Sequence, residues 1–359
     1  MDSRIQRHAE ILVNHSAEIQ KGDFVVILGS AESSDLIEAL YEELGKIGAV
    51  PHLNMRHSEA KSRYYETVSE EDIVEKKHLR AMWEKTDASI SIHGEPNIKS
   101  TSGVEPEIKS RTAKVNKEIQ EARLDTKWVI TQHPTGANAQ KADMSTRAYE
   151  DFVYSAVTKD WEKQRNFQSN LVTILEQGSS VEIVSGDTTE IQMSIDGMHP
   201  INDYGEHNMP GGEVFTAPVI NSVEGEVLFD KPLLAQGREV QDVYLKFEDG
   251  VVTQFSASQN EDVIESILET DNGSDRLGEL GIGMNRDINT FTYNMLFDEK
   301  MGDTVHMALG RAYEDNVGDG REQNQSAVHT DMIVDMSEDS YIKVDGEIVQ
   351  ENGEFIFET

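Results

Sequence analysis

Five side chains that can bind metal ions stand in apolar or glycine-rich segments of the second half of the chain. They are Glu213 in PGGEVFT, Glu279 in LGELGIG, His306 in TVHMALG, and His329 with Asp331 in AVHTDMIV. A buried charge is costly unless it is paired or coordinates a cation. Carboxylates and imidazoles placed beside such apolar runs therefore indicate a functional site.

The types and spacing of these residues favour a metal centre without sulfur ligands. His329 and Asp331 are two positions apart, so both side chains lie on one face if the segment is a strand. Carboxylates and imidazoles suit Zn²⁺, Mn²⁺ or Co²⁺. Several carboxylates with two histidines can hold two ions about 3.5–4 Å apart. Each residue also has a plainer interpretation, as a turn acid or a core histidine, and residue types alone leave both open.

Four motifs closely resemble those of the thermophilic aminopeptidase family, the aminopeptidase T and aminopeptidase S type. In chain order they are NMPGGEVFTAPV, LGELGIGMN, DEKMGDTVHMALGRAY and NQSAVHTDMIVDM, between Asn208 and Met336. Weaker similarity extends through GDFVVILG and HPTGANAQKADM in the first part of the chain. The resemblance implies an exopeptidase with two metal ions that works as a homodimer in the cytoplasm.

Taken motif by motif, the resemblance implies six metal ligands. They are Glu213, Glu279, His306, Tyr313, His329 and Asp331. Glu279 is also expected to act as the general base, and Tyr313 to ligate an ion or stabilise the oxyanion. Two divalent ions (Zn²⁺, Co²⁺, Mn²⁺ or Mg²⁺) would lower the pKa of a bridging water and polarise the scissile carbonyl. Thr330 departs from the family, which often has an aromatic residue there, and we expect its side chain to point away from the ligands.

The expected substrates are peptides with a free amino terminus, from which the protein would release N-terminal amino acids. Two alternatives stay open: another metal-dependent amide hydrolase on the same scaffold, and a metal- or peptide-binding protein without turnover. Glu299 is a weaker candidate for the site, with a solvated salt bridge near Lys300 as the plainer explanation.

The elements that must position these residues divide the chain near residue 168. Residues 1–168 alternate strand and helix patterns. The strands are FVVILG, VPHLNM, SISIHG and KWVITQHP, and the helices are SSDLIEALYEELGKIGA, EEDIVEKKHLRAMWEKTDA and SGVEPEIKSRTAKVNKEIQEARLDT. This alternation predicts an N-terminal α/β domain with a parallel sheet and helical crossovers.

Residues 169–359 are dominated by strand patterns. Hairpin signals occur at Asp249-Gly250 and Asp345-Gly346, and EDVIESILE is a lone helix pattern between them. We therefore predict a mainly antiparallel α+β domain that holds the metal site. The fold class of the whole chain is α/β followed by α+β.

The composition is strongly acidic, with 67 Asp and Glu against 32 Lys and Arg and a net charge of −35. Such a surface argues against nucleic acids and anionic membranes as partners, and it favours a salt-rich cytoplasm in which self-repulsion is screened. No apolar run approaches the roughly 18 residues of a membrane span. The chain has no cysteine, which fits a reducing cytosol.

Overall fold

A computed structural model of the chain describes residues 2–97, 99–100 and 103–358. The chain forms two compact units, Met1–Lys159 with Gly205–Pro210, and Asp160–Tyr204 with Gly211–Thr359. The predicted division at residue 168 lies inside the helix Trp161–Gln177. Asp160 caps that helix by accepting a hydrogen bond from the Lys163 backbone N–H at 3.2 Å.

Among the described residues, most helices lie before residue 178 and most strands lie after it. The α-helices are α1 (Ser3–Ile11), α2 (Ser34–Ile47), α3 (Ser58–Tyr65), α4 (Lys77–Trp83), α5 (Pro106–Val115), α6 (Lys117–Leu124), α7 (Gly136–Lys141), α8 (Thr146–Val157), α9 (Trp161–Gln177), α10 (Glu261–Leu268) and α11 (Met295–Asp298). The β-strands are β1 (Phe24–Gly29), β2 (Val50–Met55), β3 (Ala88–His93), β4 (Lys127–Gln132), β5 (Ser180–Ser185), β6 (Thr189–Ser194), β7 (Ile201–Asp203), β8 (Asn208–Met209), β9 (Glu213–Thr216), β10 (Glu224–Phe229), β11 (Leu233–Ala235), β12 (Arg238–Val240), β13 (Val243–Glu248), β14 (Val251–Ser256), β15 (Leu277–Gly283), β16 (Thr304–Gly310), β17 (His329–Asp335), β18 (Ser340–Val344), β19 (Glu347–Glu351) and β20 (Glu354–Phe355).

The first unit contains a parallel sheet in the order β2-β1-β3-β4-β8. Its four long strands are the four predicted from apolar runs, and α2 also lies where its pattern placed it. Gly48 ends α2 in the left-handed conformation, with φ of 79°, which glycine adopts without a Cβ penalty.

Two predicted helices of this unit are shorter than their patterns. The polar segment 102–126, whose Ser102 lies outside the described residues, forms α5 and α6 with a break at Asn116. The Asn116 side chain donates to the Thr112 carbonyl at 2.7 Å, a local bond that competes with helix propagation. The segment 70–88 is α-helical only in α4, because Ile73 is buried in an extended conformation.

The second unit contains two larger antiparallel sheets that share one hydrophobic core. The eight-stranded sheet has the order β14-β13-β10-β6-β5-β18-β19-β20, and the five-stranded sheet has the order β17-β16-β15-β9-β7. Ile183 and Val227 of the first and Leu280 and Met307 of the second belong to the same core cluster. The α/β plus α+β fold class is thus confirmed.

Both predicted hairpins are present in the second unit. Asp249 and Gly250 have φ of 52° and 77°, and Asp345 and Gly346 have φ of 50° and 85°. Two successive residues with positive φ form the turn that suits the twist of paired strands. Across the described residues, every helix is too short or too polar to traverse a lipid bilayer.

Candidate metal centre

Alternation along the five-stranded sheet separates core residues from the candidate ligands. On β15, Leu280 and Ile282 belong to the core, so Glu279 and Gly281 face the other way. On β16, Val305 and Met307 belong to the core, which turns His306 to the same side as Glu279.

The outer strands of this sheet follow the same rule. On β17, Met332 and Val334 enter the core, which leaves His329 and Asp331 on the opposite face. On β9, Val214 enters the core, and Glu213 is turned away from it. Four strands therefore present the five candidate ligands of this sheet on one face.

Cross-strand register brings these side chains close together. Asp331 and Glu279 each lie opposite Ala308 in its two neighbouring strands. His306 Nε2 lies 3.1 Å from Glu279 Oε1 and 3.5 Å from Glu213 Oε2. Glu279, His306 and Asp331 each offer one ligand atom, and these atoms lie within 4.8 Å of one another.

His329 and Tyr313 complete the cluster at its more open side. His329 Nε2 lies 3.5 Å from Asp331 Oδ1, 3.7 Å from Glu279 Oε2 and 3.5 Å from the Tyr313 hydroxyl. His329 Nδ1 donates to the Arg311 carbonyl at 2.9 Å, which leaves Nε2 of the neutral ring as the ligand atom. Tyr313 is 43% exposed, so its phenol borders solvent.

The donor atoms fit a divalent cation. Glu213 Oε2 and Glu279 Oε2 are buried and have no hydrogen-bond partner among the described residues. Buried acceptors left in this way cost free energy. Carboxylate oxygens and imidazole nitrogens without sulfur are a donor set suited to Zn²⁺, Co²⁺ or Mn²⁺.

Two carboxyl groups and two imidazoles of the cluster bind protons more tightly than usual when no cation is present. Burial raises the pKa of Glu213 to about 8 and also raises the pKa of Glu279. For His306, burial lowers the pKa, but the hydrogen bond with Glu279 and the nearby carboxylates outweigh it and raise it to about 10. For His329, burial lowers the pKa, but the nearby carboxylates of Asp331 and Glu279 outweigh it and raise the pKa to about 9. A metal ion must displace these protons in order to bind.

Lys300 was missed by the sequence analysis, which treated it only as a salt-bridge partner of Glu299 near the surface. Its side chain is fully buried. Its Nζ donates to Glu213 Oε1 at 3.0 Å and to Glu299, and lies 3.6 Å from Asp203 Oδ2. Burial lowers the pKa of Lys300, but the three carboxylates outweigh it and hold it well above the usual value. A lysine beside two acids in LFDEKMGD is a local signal that does not separate this arrangement from a surface pair.

Gly281 and Gln168 also shape the site, although neither carries a recognisable chemical motif. Gly281 pairs with His306, and a Cβ at this position would overlap the imidazole ring. Gln168 of α9 is buried, and its amide donates to the carbonyls of Asp203 at 2.9 Å and Glu213 at 2.8 Å. Glycine recurrence in LGELGIG is the one sequence signal that could have indicated the first of these roles.

Comparisons with known proteins identify a family and a fold to which this chain is similar. The family model Peptidase_M29, described as thermophilic metalloprotease (M29), matches residues 1–359. Aminopeptidase 2 of Geobacillus stearothermophilus is 26% identical over 96% of this chain and 94% of its own length. The structure of wild-type AmpT from Thermus thermophilus matches with a TM-score of 0.86 and 22% identity over 99% of both chains. A 2,5-dihydroxypridine dioxygenase from Pseudomonas putida KT2440 matches with a TM-score of 0.62 and 13% identity, over 99% of this chain and 97% of its own.

Proposed function

The chain belongs to the M29 family of thermophilic metalloproteases and is a metal-dependent peptide hydrolase, and we propose that it is an aminopeptidase with two divalent ions. The proposed ligands are Glu213, Glu279, His306, Tyr313, His329 and Asp331. The relative named aminopeptidase 2 supports an exopeptidase acting at the amino terminus. The dioxygenase shares the fold alone, because its identity to this chain is only 13%.

The observation that carries this proposal is the gathering of ligand-type side chains from four strands on one buried face. Glu279, His306 and Asp331 form a group in which one ion fits. Glu213 extends this group, because its Oε2 lies 3.5 Å from His306 Nε2. The additional carboxylate supports a second ion.

The charge of the cluster supports two ions rather than one. Its carboxylates belong to Asp203, Glu213, Glu279, Glu299 and Asp331, the ligands among them lose their protons when a metal ion binds, and Lys300 is the buried cation in contact with three of the five. Two divalent ions together with Lys300 would neutralise all five carboxylates. One ion would leave two negative charges uncompensated in a largely buried site, which is costly.

The roles of the side chains follow from their positions. Bound in this site, the ions would lower the pKa of a water molecule and polarise the carbonyl of the scissile bond. Glu279 Oε2, which has no hydrogen-bond partner among the described residues, would take the proton of that water and pass it to the leaving amine. Tyr313 lies at the open side beside His329. Its hydroxyl would either ligate an ion or donate a hydrogen bond to the developing oxyanion.

Peptides with a free amino terminus are the proposed substrates, since a relative that matches this chain over nearly its whole length is named an aminopeptidase. We also propose a homodimer in the cytoplasm, on the strength of the motif resemblance. The absence of cysteine fits a reducing compartment. Light scattering after size-exclusion chromatography tests the dimer, and a monomer at micromolar concentration would contradict it.

Metal removal is the direct test of this function. Chelation of the purified protein should abolish hydrolysis of unblocked aminoacyl-amides, and added Co²⁺, Mn²⁺ or Zn²⁺ should restore it. E213Q and H329A should each lose at least about 100-fold in kcat, since removal of a ligand should exceed the 10–100-fold loss typical of outer partners. Exposed Glu248→Gln is the matched control.

The substrates distinguish the remaining alternatives. Acetylation of the amino terminus should prevent cleavage if the protein is an aminopeptidase. Equal cleavage of blocked and free amides would indicate a different amide hydrolase. Tight metal binding with no turnover of either substrate would indicate a binding protein. Full activity in protein shown to be free of metal would refute the proposal.

A further inference from the structure

Asp203 and Glu213 form a pair of acids in neighbouring strands, and they carry like charges once Glu213 has lost its proton, as binding of a metal ion requires. Asp203 of β7 lies directly opposite Glu213 of β9, and both are buried. Like charges directly opposite one another destabilise a sheet, and burial makes the repulsion stronger. The pair therefore requires a cation, and Lys300 Nζ supplies it at 3.6 Å and 3.0 Å.

The ammonium group divides the two oxygens of Glu213 between different partners. Glu213 Oε1 accepts the hydrogen bond from Lys300, whereas Oε2 faces His306 Nε2 at 3.5 Å and has no hydrogen-bond partner among the described residues. A carboxylate held by one oxygen cannot rotate freely about its last bond. Oε2 is consequently kept pointing into the candidate metal centre.

The position of Lys300 is itself fixed by its backbone. Its N–H donates to the Phe297 carbonyl at 3.0 Å, and its carbonyl accepts from the Asn285 N–H at 3.0 Å. These bonds hold the residue just after α11, and the fully buried side chain has little freedom to take another course.

We propose that Lys300 is a positioning residue of the metal centre, which holds Glu213 so that a single oxygen, Oε2, is presented to the metal. This inference rests on the proposed role of Glu213 as a ligand. It predicts that the geometry of the Lys300–Glu213 bond, and not merely the positive charge, is needed for metal binding. Outer partners of metal ligands typically contribute 10–100-fold to metal affinity or activity.

The test uses the full-length protein in 1 M KCl after removal of metal. Co²⁺ affinity is measured by titration calorimetry, kcat and KM on an unblocked aminoacyl-amide, and folding by circular dichroism. K300M should lower Co²⁺ affinity and kcat by about 10–100-fold, with a smaller effect on KM. The exposed Lys246, paired with Glu248 at 3.0 Å, provides the control K246M, which should resemble the unmodified protein.

The double variant D203N/K300M separates positioning from charge and from stability. It removes one positive and one negative charge, so the net charge is unchanged and the repulsion opposite Glu213 is gone. It should fold even if K300M does not, yet remain weak in Co²⁺ binding and low in kcat.

Two results would overturn the inference. One is recovery of Co²⁺ affinity and kcat in D203N/K300M, which would show that only the charge of Lys300 matters. The other is a K300M protein within twofold of the unmodified protein in both quantities. E213Q is measured in parallel: if it too binds Co²⁺ normally, the ligand assignment in the proposed function has failed, whereas impaired E213Q beside normal K300M refutes the role of Lys300 alone.

Discussion

Gly281 and His306 occupy opposing positions in neighbouring strands, and the imidazole lies in the space where a side chain at position 281 would project. Ala308 has a similar role, because this small residue lies between Asp331 and Glu279 in the two neighbouring strands. Bulky residues at these positions would fill the volume in which ligands and ions must meet. At the scale of single residues, the centre depends on small neighbours as well as on donor atoms.

We predict that G281A disrupts the metal centre. A methyl group at this position would overlap the His306 ring, so the ring must move away from Glu279. Metal affinity and kcat should both fall by at least about tenfold, since displacing a ligand should affect metal binding no less than loss of an outer partner. Titration with Co²⁺ and steady-state kinetics provide the measurement.

Gly45 offers a matched control for this substitution. It lies inside α2, and a methyl group added there would project into open space. G45A should leave metal binding unchanged and stabilise the helix by about 0.5–1 kcal/mol. A G281A protein with the metal affinity of G45A would show that the ring can be accommodated elsewhere.

At the scale of elements, one helix fixes the two strands at the edge of the site. Gln168 of α9 donates from its buried amide to the carbonyls of Asp203 in β7 and Glu213 in β9, and to Asn202 Oδ1 at 2.7 Å. The backbone on both sides of the Asp203–Glu213 pair is thereby attached to α9. The helix α9 thus helps to fix the start of β9, the strand that carries Glu213.

Replacement of this amide by an apolar side chain of similar length should loosen the edge of the sheet. Q168M leaves the buried carbonyls of Asp203 and Glu213 without their donor, at a cost of about 1–3 kcal/mol. We expect a lower melting temperature by circular dichroism together with a lower kcat. N170A, at an exposed position of the same helix, should change neither quantity, and a Q168M protein that matches N170A would contradict this account.

At the scale of the whole molecule, the net charge of −35 on 359 residues imposes long-range repulsion. The Debye length is about 30 Å at 0.01 M salt and about 3 Å at 1 M. Repulsion therefore extends across much of each unit in dilute buffer, but only to near neighbours in molar salt. Most of the ion pairs in the described residues are partly exposed and contribute little to offset it.

The melting temperature should accordingly rise as KCl increases from 0.1 to 2 M. Metal concentration and pH are held constant during the scan, because bound ions stabilise the folded state by mass action. Neutralisation of several exposed acids to Asn or Gln should flatten the dependence, with the ligand residues left intact. A flat or falling melting temperature would show that the acidity is not an adaptation to salt, and a basic partner protein would then be sought.

Local sequence patterns were sufficient to predict much of the fold. Apolar runs located β1 to β4, and Asp-Gly pairs located the turns at residues 249–250 and 345–346, because strand burial and positive φ are requirements of adjacent residues. The motifs around the candidate ligands were likewise continuous in sequence and pointed to the metalloprotease family. Helix lengths were less well predicted, since the break at Asn116 depends on a side-chain hydrogen bond that competes with periodicity.

Only the tertiary structure decided how those motifs combine. The shared face of β9, β15, β16 and β17 results from pairings between strands far apart in the chain. Whether Lys300 is a surface cation or a buried one depends on Asp203 and Glu213, about a hundred residues earlier. Burial of a charge is favourable only when its partners are already in place, and no local pattern records where distant partners will lie.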